Sequence, residues 1–347
     1  MRAQYFYPFI FLIKCLWAFA IVGCASAADL DTPKIIAIGD IHGDSEAYEA
    51  ILQAADLIDS EGKWSGGDTI FVQTGDIPDR GPDTLKILDH LRELKKEARK
   101  QGGEVVTLIG NHEAMNITRD LRYVHPGEYA AFANHKSAAI REKIYKANQD
   151  RIIDYYKNTN PTLTPAEIKA EWETTSPLGK IEHEQAWSPR GTIGKWVVKN
   201  DAVALIAGNL FVHGGFSQKY TAYSLDEINK AARKALKKQD TSIEAIINDP
   251  FGPLWYRGNV SQLESADPNE ATLSQLEEID LVLDTYDAQR IIVGHTPVRT
   301  GIQAQFGGKL IQVDTGASAY YGGTRSFLRI ENGHVYAHDN GSVRQIE

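Results

Sequence analysis

Gly75-Asp76-Ile77-Pro78-Asp79-Arg80-Gly81 comes just after an apolar run, Thr69-Ile70-Phe71-Val72. The run reads as a buried strand and the seven residues as a polar loop at its end. A loop holding two carboxylates, a guanidinium, a proline and two glycines, set at the end of a core strand, is where α/β proteins keep their chemistry. Asp76 is placed to reach a cation, Arg80 to clamp an anion, and Asp79 to orient a third group. On its own the stretch also reads as an ordinary acidic turn, so the decision rests on what surrounds it.

Two similar units flank it. Lys34-Ile35-Ile36-Ala37-Ile38 ends in Gly39-Asp40-Ile41-His42-Gly43-Asp44, with Ser45 as the expected N-cap of a helix whose Tyr48, Ile51, Leu52 and Ala55 share one face. Val105-Val106-Thr107-Leu108-Ile109 ends in Gly110-Asn111-His112-Glu113, and Leu85, Leu88, Leu91 and Leu94 mark an amphipathic helix between. Three strand–loop–helix units in series predict a parallel sheet with active loops at the strands' C-terminal ends. From 114 to 190 the strand pattern stops. This stretch, rich in Ala, Lys, Glu and Tyr, reads as a helical insertion over the site, with a capping box at Thr164-Pro165-Ala166-Glu167. Strands are expected again at 196–198, 203–206 and 210–212, the last ending in His213-Gly214-Gly215. Helices over 225–237 and 242–247 precede Gly252-Pro253-Leu254-Trp255-Tyr256-Arg257-Gly258. A helix over 273–286 leads to a strand at 290–293 and to Gly294-His295-Thr296. Runs at 310–313, 327–330 and 334–337 read as closing antiparallel strands. The expected fold is α/β, an α+β sandwich: two mixed sheets face to face, flanked by helices, within a catalytic domain spanning 33–340.

The chain has 347 residues, 42% of them hydrophobic and 24% charged, enough for one large domain or two smaller ones. A net charge of -9 argues against a nucleic-acid backbone as partner. Arg2 and Lys14 flank an apolar stretch, and 15–23 is uninterruptedly apolar, so 1–27 reads as a secretory signal too short to span a bilayer. Two cleavage readings stand. Ile21-Val22-Gly23-Cys24 resembles a bacterial lipobox, giving membrane attachment through a lipidated Cys24 and, with Ala25 next, outer-membrane sorting in a Gram-negative cell. Ala25-Ser26-Ala27 fits ordinary signal peptidase, giving a released periplasmic protein. Cys15 and Cys24 are the only cysteines. The expected mature domain has no disulfide framework and no thiolate nucleophile.

Five apolar strands therefore end in clusters containing Asp, His or Asn: Asp40/His42, Asp76, Asn111/His112, His213 and His295. Oxygen and imidazole donors without thiolate suit Mn²⁺, Fe or Zn²⁺. With Arg80 as an anion clamp, the pattern points to a two-metal phosphoester hydrolase. The ordered blocks Gly39-Asp40-x-His42-Gly43, Gly75-Asp76-x-x-Asp79-Arg80-Gly81, Gly110-Asn111-His112-Glu113, His213-Gly214-Gly215 and Gly294-His295-Thr296 resemble the calcineurin-like metallophosphoesterases. More narrowly they resemble the phosphoprotein phosphatase branch. Residues 110–116, 121–124, 252–258 and 293–297 are similar to the Shewanella-like protein phosphatases.

The resemblance implies two divalent metal ions, Mn²⁺ first and Fe or Zn²⁺ otherwise. Asp40 and His42 would hold one, Asn111, His213 and His295 the other, and Asp76 would bridge them. A hydroxide held between the ions would attack phosphorus in line. His112, oriented by Asp79, would act as general acid. Arg80, Arg257 and Asn111 would bind the substrate phosphate. Broader metallophosphoesterases carry a second His where Pro297 stands here, and its absence fits the narrower branch. Glu113 reads as loop support, and Tyr320-Tyr321-Gly322-Gly323 as an aromatic turn. His90, His125, His135, His183, His334 and His338 read as surface or supporting residues. The implied substrate is a phosphoprotein or a small phosphomonoester, with phosphotyrosine preference resting on the resemblance alone. The competing readings are a nucleotide pyrophosphohydrolase or phosphodiesterase on the same centre, and an inactive, surface-anchored binding protein.

Overall fold

A computed structural model describes residue 1, residues 32–261 and residues 273–346. The secretory-signal and Cys24 readings fall outside these residues. From Thr32 onward the chain forms one compact unit. Among the described residues no helix is long and apolar enough to cross a membrane.

The chain begins as expected: β1 (Ile35–Ile38), α1 (Ser45–Ala54), β2 (Ile70–Gln73), α2 (Thr84–Lys100) and β3 (Glu104–Thr107). β1, β2 and β3 pair in parallel, with Ile35 opposite Ile70 and Ile70 opposite Glu104. All four residues of β1 are buried, because both faces of the sheet are covered. Ile36, Ile38 and Phe71 face α1 and α2, while Ile35, Ala37 and Val72 face the second sheet. Asp44, not Ser45, caps α1: its side chain accepts the N–H of Ala47. The Ser45 hydroxyl instead donates to Asp83 at 2.9 Å, tying the first site loop to the start of α2.

The next stretch is helical: α3 (Asn111–Thr118), α4 (Pro126–Phe132), α5 (Ser137–Ala147), α6 (Gln149–Thr159), α7 (Pro165–Thr175) and α8 (Lys180–Trp187). α7 starts with the expected capping box. Residues 196–198 do not form a strand. Gly194–Val197 is a single helical turn, α9, whose Val197 packs into the core. Three apolar residues in a row carry no period that could tell strand from helix.

The second half holds β4 (Val203–Ile206), β5 (Asn209–Val212), α10 (Leu225–Lys238), α11 (Gln275–Tyr286), β6 (Arg290–Val293), β7 (Gln303–Gln305), β8 (Leu310–Gln312), β9 (Ser326–Glu331), β10 (His334–Asp339) and β11 (Ser342–Gln345). Residues 242–247 form turns in place of the expected helix. The sheets run β11-β10-β9-β1-β2-β3 and β4-β5-β6-β8-β7. β5, β6 and β8 are mutually parallel. The expectation that 310–313 closes the sheet as an antiparallel strand is therefore corrected on its β6 side, although β8 does run antiparallel to β7. Phe211, Ile292, Ile311, Leu328 and Val335 fill the space between the sheets together with Ile35, Ala37 and Val72. Leu210, Val212, Ile291 and Val293 point outward, sharing a cluster with the apolar faces of α10 and α11. The result is the expected two-sheet sandwich flanked by helices.

Candidate metal centre and active site

The parallel strands of both sheets end together, and the residues just after them form the site. The loops are laced by backbone bonds: the carbonyl of Asp76 accepts from Ile41 and His42, each at 3.1 Å. Glu113 joins the β2 and β3 loops by accepting the N–H groups of Gly110, Asp76 and Ile77 at 2.7, 3.0 and 2.9 Å. Burial, then the neighbouring Asp76 charge, push its carboxyl up to about 7. Gly75 has φ 103°, and a Cβ there would sit 2.6 Å from the N of Gly110. Only glycine lets these two loops meet.

Asp76 is the centre. Its Oδ1 accepts the N–H of His112 at the N-terminus of α3, at 2.9 Å. Its Oδ2 lies 3.3 Å from His213 Nε2, 3.8 Å from His112 Nε2 and 3.9 Å from His42 Nε2. Burial alone would raise this carboxyl; positive charge placed among the facing rings, on His213 first and then His112, brings it well below the usual range. Asp40 is the opposite case. Burial first, then Asp314 and Asp76, push it well above that range. Its Oδ2 is 3.8 Å from His42 Nε2, and its Oδ1 accepts the N–H of His295 at 3.1 Å.

Two triads emerge, His42/Asp76/His112 and Asp76/His213/His295, each with ligand atoms within 4.8 Å of one another. They share Asp76. The second ring nitrogens sort the histidines. His42 Nδ1 faces the carbonyl of Pro78 at 3.1 Å, and His213 Nδ1 faces that of Thr74 at 3.0 Å. A carbonyl only accepts, so each ring carries its proton on Nδ1 and turns a lone pair inward from Nε2, the usual arrangement of a metal-ligating imidazole. Burial lowers His42 to about 3, so its ring is neutral. His213 Nε2 also lies 3.0 Å from Asn111 Oδ1. Burial, then His213 and Arg257, hold His295 well below the ordinary value, and its Nε2 is buried with no hydrogen-bond partner. Lone pairs and carboxylate oxygens facing one another in a dry site repel unless a cation lies among them. The donor set, all oxygen and imidazole, fits a first-row divalent ion.

His112 differs. Its Nδ1 donates to a carboxylate, Asp79 Oδ2, at 2.5 Å. Burial opposes a charge on this ring, but Asp76 and Asp79 outweigh it and hold His112 above the ordinary imidazole value. Asp79 Oδ1 accepts from Asn116 Nδ2 at 2.9 Å. Arg80 is half-buried under Tyr123, Tyr320 and Tyr321, its guanidinium carbon 4.5, 4.8 and 5.3 Å from the three ring centres. Its Nε is buried without a partner. Arg257 donates to the carbonyl of His295 at 2.9 Å and to Thr296 Oγ1 at 2.7 Å. Contacts thus link all ten candidate residues around one centre, Arg257 through His295 and Arg80 through Tyr321, which meets the His42 ring.

A match to the calcineurin-like phosphoesterase model runs over residues 33–299. The chain belongs to the calcineurin-like phosphoesterase family. It is accordingly a hydrolase acting on phosphoric esters, of a family that works through divalent metal ions. Shewanella-like protein phosphatase 2 of Arabidopsis thaliana is 33% identical over 292 residues, covering 82% of this chain and 71% of that protein. Shewanella-like protein phosphatase 1 of Plasmodium berghei is 28% identical over 265 residues, covering 76% and 61%. The crystal structure of the cold-active protein-tyrosine phosphatase of a psychrophilic Shewanella species superposes with TM-score 0.66 at 26% identity, covering 91% of this chain and 81% of that one.

Sequence reasoning missed residues that this phosphoesterase brings to its site. Asp314 follows β8, is 1% exposed, and faces Asp40, with burial pushing it up to about 6. It stands at a sixth strand end. Tyr321 sits 5.5 Å from His42 ring to ring, so the 320–323 turn is also a wall of the cleft. Glu128 and His183 of the helical insertion lie buried behind Asp79.

Proposed function

We propose that this chain is an exported, dinuclear metal-dependent phosphomonoesterase acting on phosphoproteins, with a preference for phosphotyrosine. The observation that carries the reading is the single carboxylate, Asp76, whose Oδ2 faces both His42 at 3.9 Å and His213 at 3.3 Å, with a carboxylate-held imidazole, His112, and two guanidinium groups beside them. Asp40, His42 and Asp76 would hold one ion, and Asp76, Asn111, His213 and His295 the other. Bound there, two divalent ions supply Lewis-acid charge and an activated water.

The chain's own groups do the rest. Arg80, with a buried donor lacking a partner, and Arg257 bind the phosphate oxygens, aided by the Asn111 amide. Two guanidinium groups match a terminal dianion better than a diester. His112, its proton held more tightly by Asp76 and Asp79, delivers the proton from Nε2 to the leaving oxygen. Asp314 steadies Asp40. The tyrosines around Arg80 support an aryl substituent: Tyr320 is 59% exposed and Tyr123 38%, and a phenyl ring next to a clamped phosphate would lie against them. The Shewanella neighbour is a protein-tyrosine phosphatase, which points the same way.

A kinetic comparison of phosphotyrosine and phosphoserine peptides with Mn²⁺ tests this. A higher kcat/KM on phosphotyrosine is expected. Hydrolysis of a dinucleoside polyphosphate with none of either peptide would overturn it. Export through residues 1–27 belongs to the same proposal. An acyl mass on Cys24 would mark the lipoprotein route, a mature end at Ala28 the released form, and retention of residues 1–27 would sink it.

A further inference from the structure

The helical insertion reaches the reaction centre through a residue that the scheme above does not use. Glu128 lies in the first turn of α4 and is 1% exposed. Its Oε1 accepts the backbone N–H of Asp79 at 2.7 Å. Asp79 has φ 73°, in the left-handed region. A residue with a side chain stays there only when its surroundings hold it.

Asp79 is held at three points. His112 Nδ1 and Asn116 Nδ2 aim its carboxylate, and Glu128 fixes its backbone. The next peptide is tied to the same segment, because Arg80 N donates to the carbonyl of Tyr123 at 3.0 Å. Behind Glu128 stands His183 of α8, fully buried, with Nε2 3.5 Å from Glu128 Oε2. Tyr129 and Phe132 meet the His183 ring edge-on at 5.2 Å. His183 Nδ1 has no hydrogen-bond partner, and the contact between Nε2 and Glu128 Oε2 is a long one.

This arrangement is expensive. A carboxylate and an imidazole enclosed among aromatic rings are commonly worth less to stability than apolar residues of the same size. Any neutral carbonyl would satisfy one backbone N–H. The bond that gains from the expense is the one between Asp79 and His112. A misplacement of about 1 Å at a catalytic group costs on the order of 10²-fold in rate.

We propose that Glu128, backed by His183, is a positioning residue through which the helical insertion sets Asp79 and hence His112. The inference rests on the reading of His112 as general acid. It assigns the insertion a part in proton delivery: α4 and α8 form the rigid back of the acid.

The test compares phenyl phosphate, which has a poor leaving group, with p-nitrophenyl phosphate, which has a good one. Glu128→Ala should lower kcat on phenyl phosphate by about 10–10²-fold, and on p-nitrophenyl phosphate by less than about threefold, with KM and metal content unchanged. Glu128→Gln keeps the acceptor oxygen and should stay within about threefold of the parent on both. Should the alanine variant not fold, Glu128→Asp decides: it keeps the charge but withdraws the acceptor by one methylene, and should show the same leaving-group pattern. Equal losses on the two substrates, no loss on either, or a loss carried by KM or metal content would overturn the proposal. His112→Asn, measured alongside, separates the two readings. If it also loses equally on both substrates, the general-acid reading fails. If it shows the leaving-group pattern and the Glu128 variants do not, only the positioning role fails.

Discussion

Asp79→Asn isolates the proton-delivery half of the proposed mechanism. The substitution changes almost no volume, yet it alters both ends of a short bond chain. At present Asp79 Oδ2 accepts from His112 Nδ1 at 2.5 Å and Oδ1 accepts from Asn116 Nδ2 at 2.9 Å. An amide has one acceptor and one donor end. Either its NH₂ faces the Asn116 amide, donor against donor, or it faces His112 Nδ1, which must then give up its proton and with it the charged ring. A buried hydrogen bond to a charged group contributes about 1.5–3 kcal/mol. At about 1.36 kcal/mol per pKa unit, its loss should drop His112 by about 1–2 units. The sign follows: Asp76 and Asp79 hold the imidazolium up, the acid works below its pKa, and the alkaline limb of the kcat profile should move to lower pH. At neutral pH the loss should reach about 10–10²-fold for alkyl or phenyl phosphates and be much smaller for p-nitrophenyl phosphate. Steady-state kinetics across pH on those substrates, with metal content checked, is the assay. An unmoved alkaline limb, or equal loss on all substrates, would refute the reasoning.

Asp76→Asn should abolish metal binding and activity together, since it removes the one carboxylate that faces both His42 and His213; elemental analysis and turnover read this out. Asp314→Ala should weaken metal affinity by about 10–100-fold, as losses behind a metal ligand commonly do. Metal titration monitored by activity checks it, and unchanged affinity would show that Asp40 stands without its neighbour. Glu128→Gln should also change the pH dependence of stability. Burial raises Glu128 above its ordinary 4.5, so the folded chain holds that proton longer than the unfolded one. The associated stability is full below about 4.5 and is lost as pH rises through the raised value. The glutamine variant carries no such loss. Its Tm relative to the parent should climb above pH 4.5 and then level off; a constant or falling difference would contradict the shift.

The fold was legible because its core strands are buried on both faces and bounded by glycine-rich loops. Ile35–Ile38 and Asn209–Val212 have no exposed residue, so each reads as a short block of core. What escaped lacked such a signal. Gln303–Gln305 has one small apolar residue, Ala304, between two glutamines, and Ser342–Gln345 is exposed throughout; both are strands because β8 and β10 offer them a ladder, which is a tertiary fact. Asp314 escaped because of an error of direction. With 310–313 read as antiparallel, its end did not fall among the active loops. Run parallel to β6, as it is, it puts Asp314 opposite Asp40. Glu128 escaped for another reason. An acidic residue in a first helical turn is ordinary helix chemistry, and its partner, the N–H of Asp79, is 49 residues away.

The backbone adds a constraint that residue types alone do not carry. His42, Asp76, Asp79, Arg80 and His295 have φ values of 49°, 57°, 73°, 65° and 64°. Each left-handed residue of this kind costs on the order of 1–3 kcal/mol, and none is glycine, although Asp and His are among the side-chained residues that enter this region most readily. Glycine at these positions would relieve the backbone and remove the side chain that the cleft needs. The cost is borne where strands are most firmly held: Asp40 and His42 follow β1, Asp76 follows β2 and His295 follows β6, all central in their sheets. A central strand cannot yield to let its last residues relax, so the sharp turn persists and directs ring and carboxylate into the cleft. The same reasoning explains why Asp79 and Arg80, farthest from their strand, need a hold of their own. They receive it from Glu128 and from the carbonyl of Tyr123, and the segment that supplies both belongs to the helical stretch, not to either sheet.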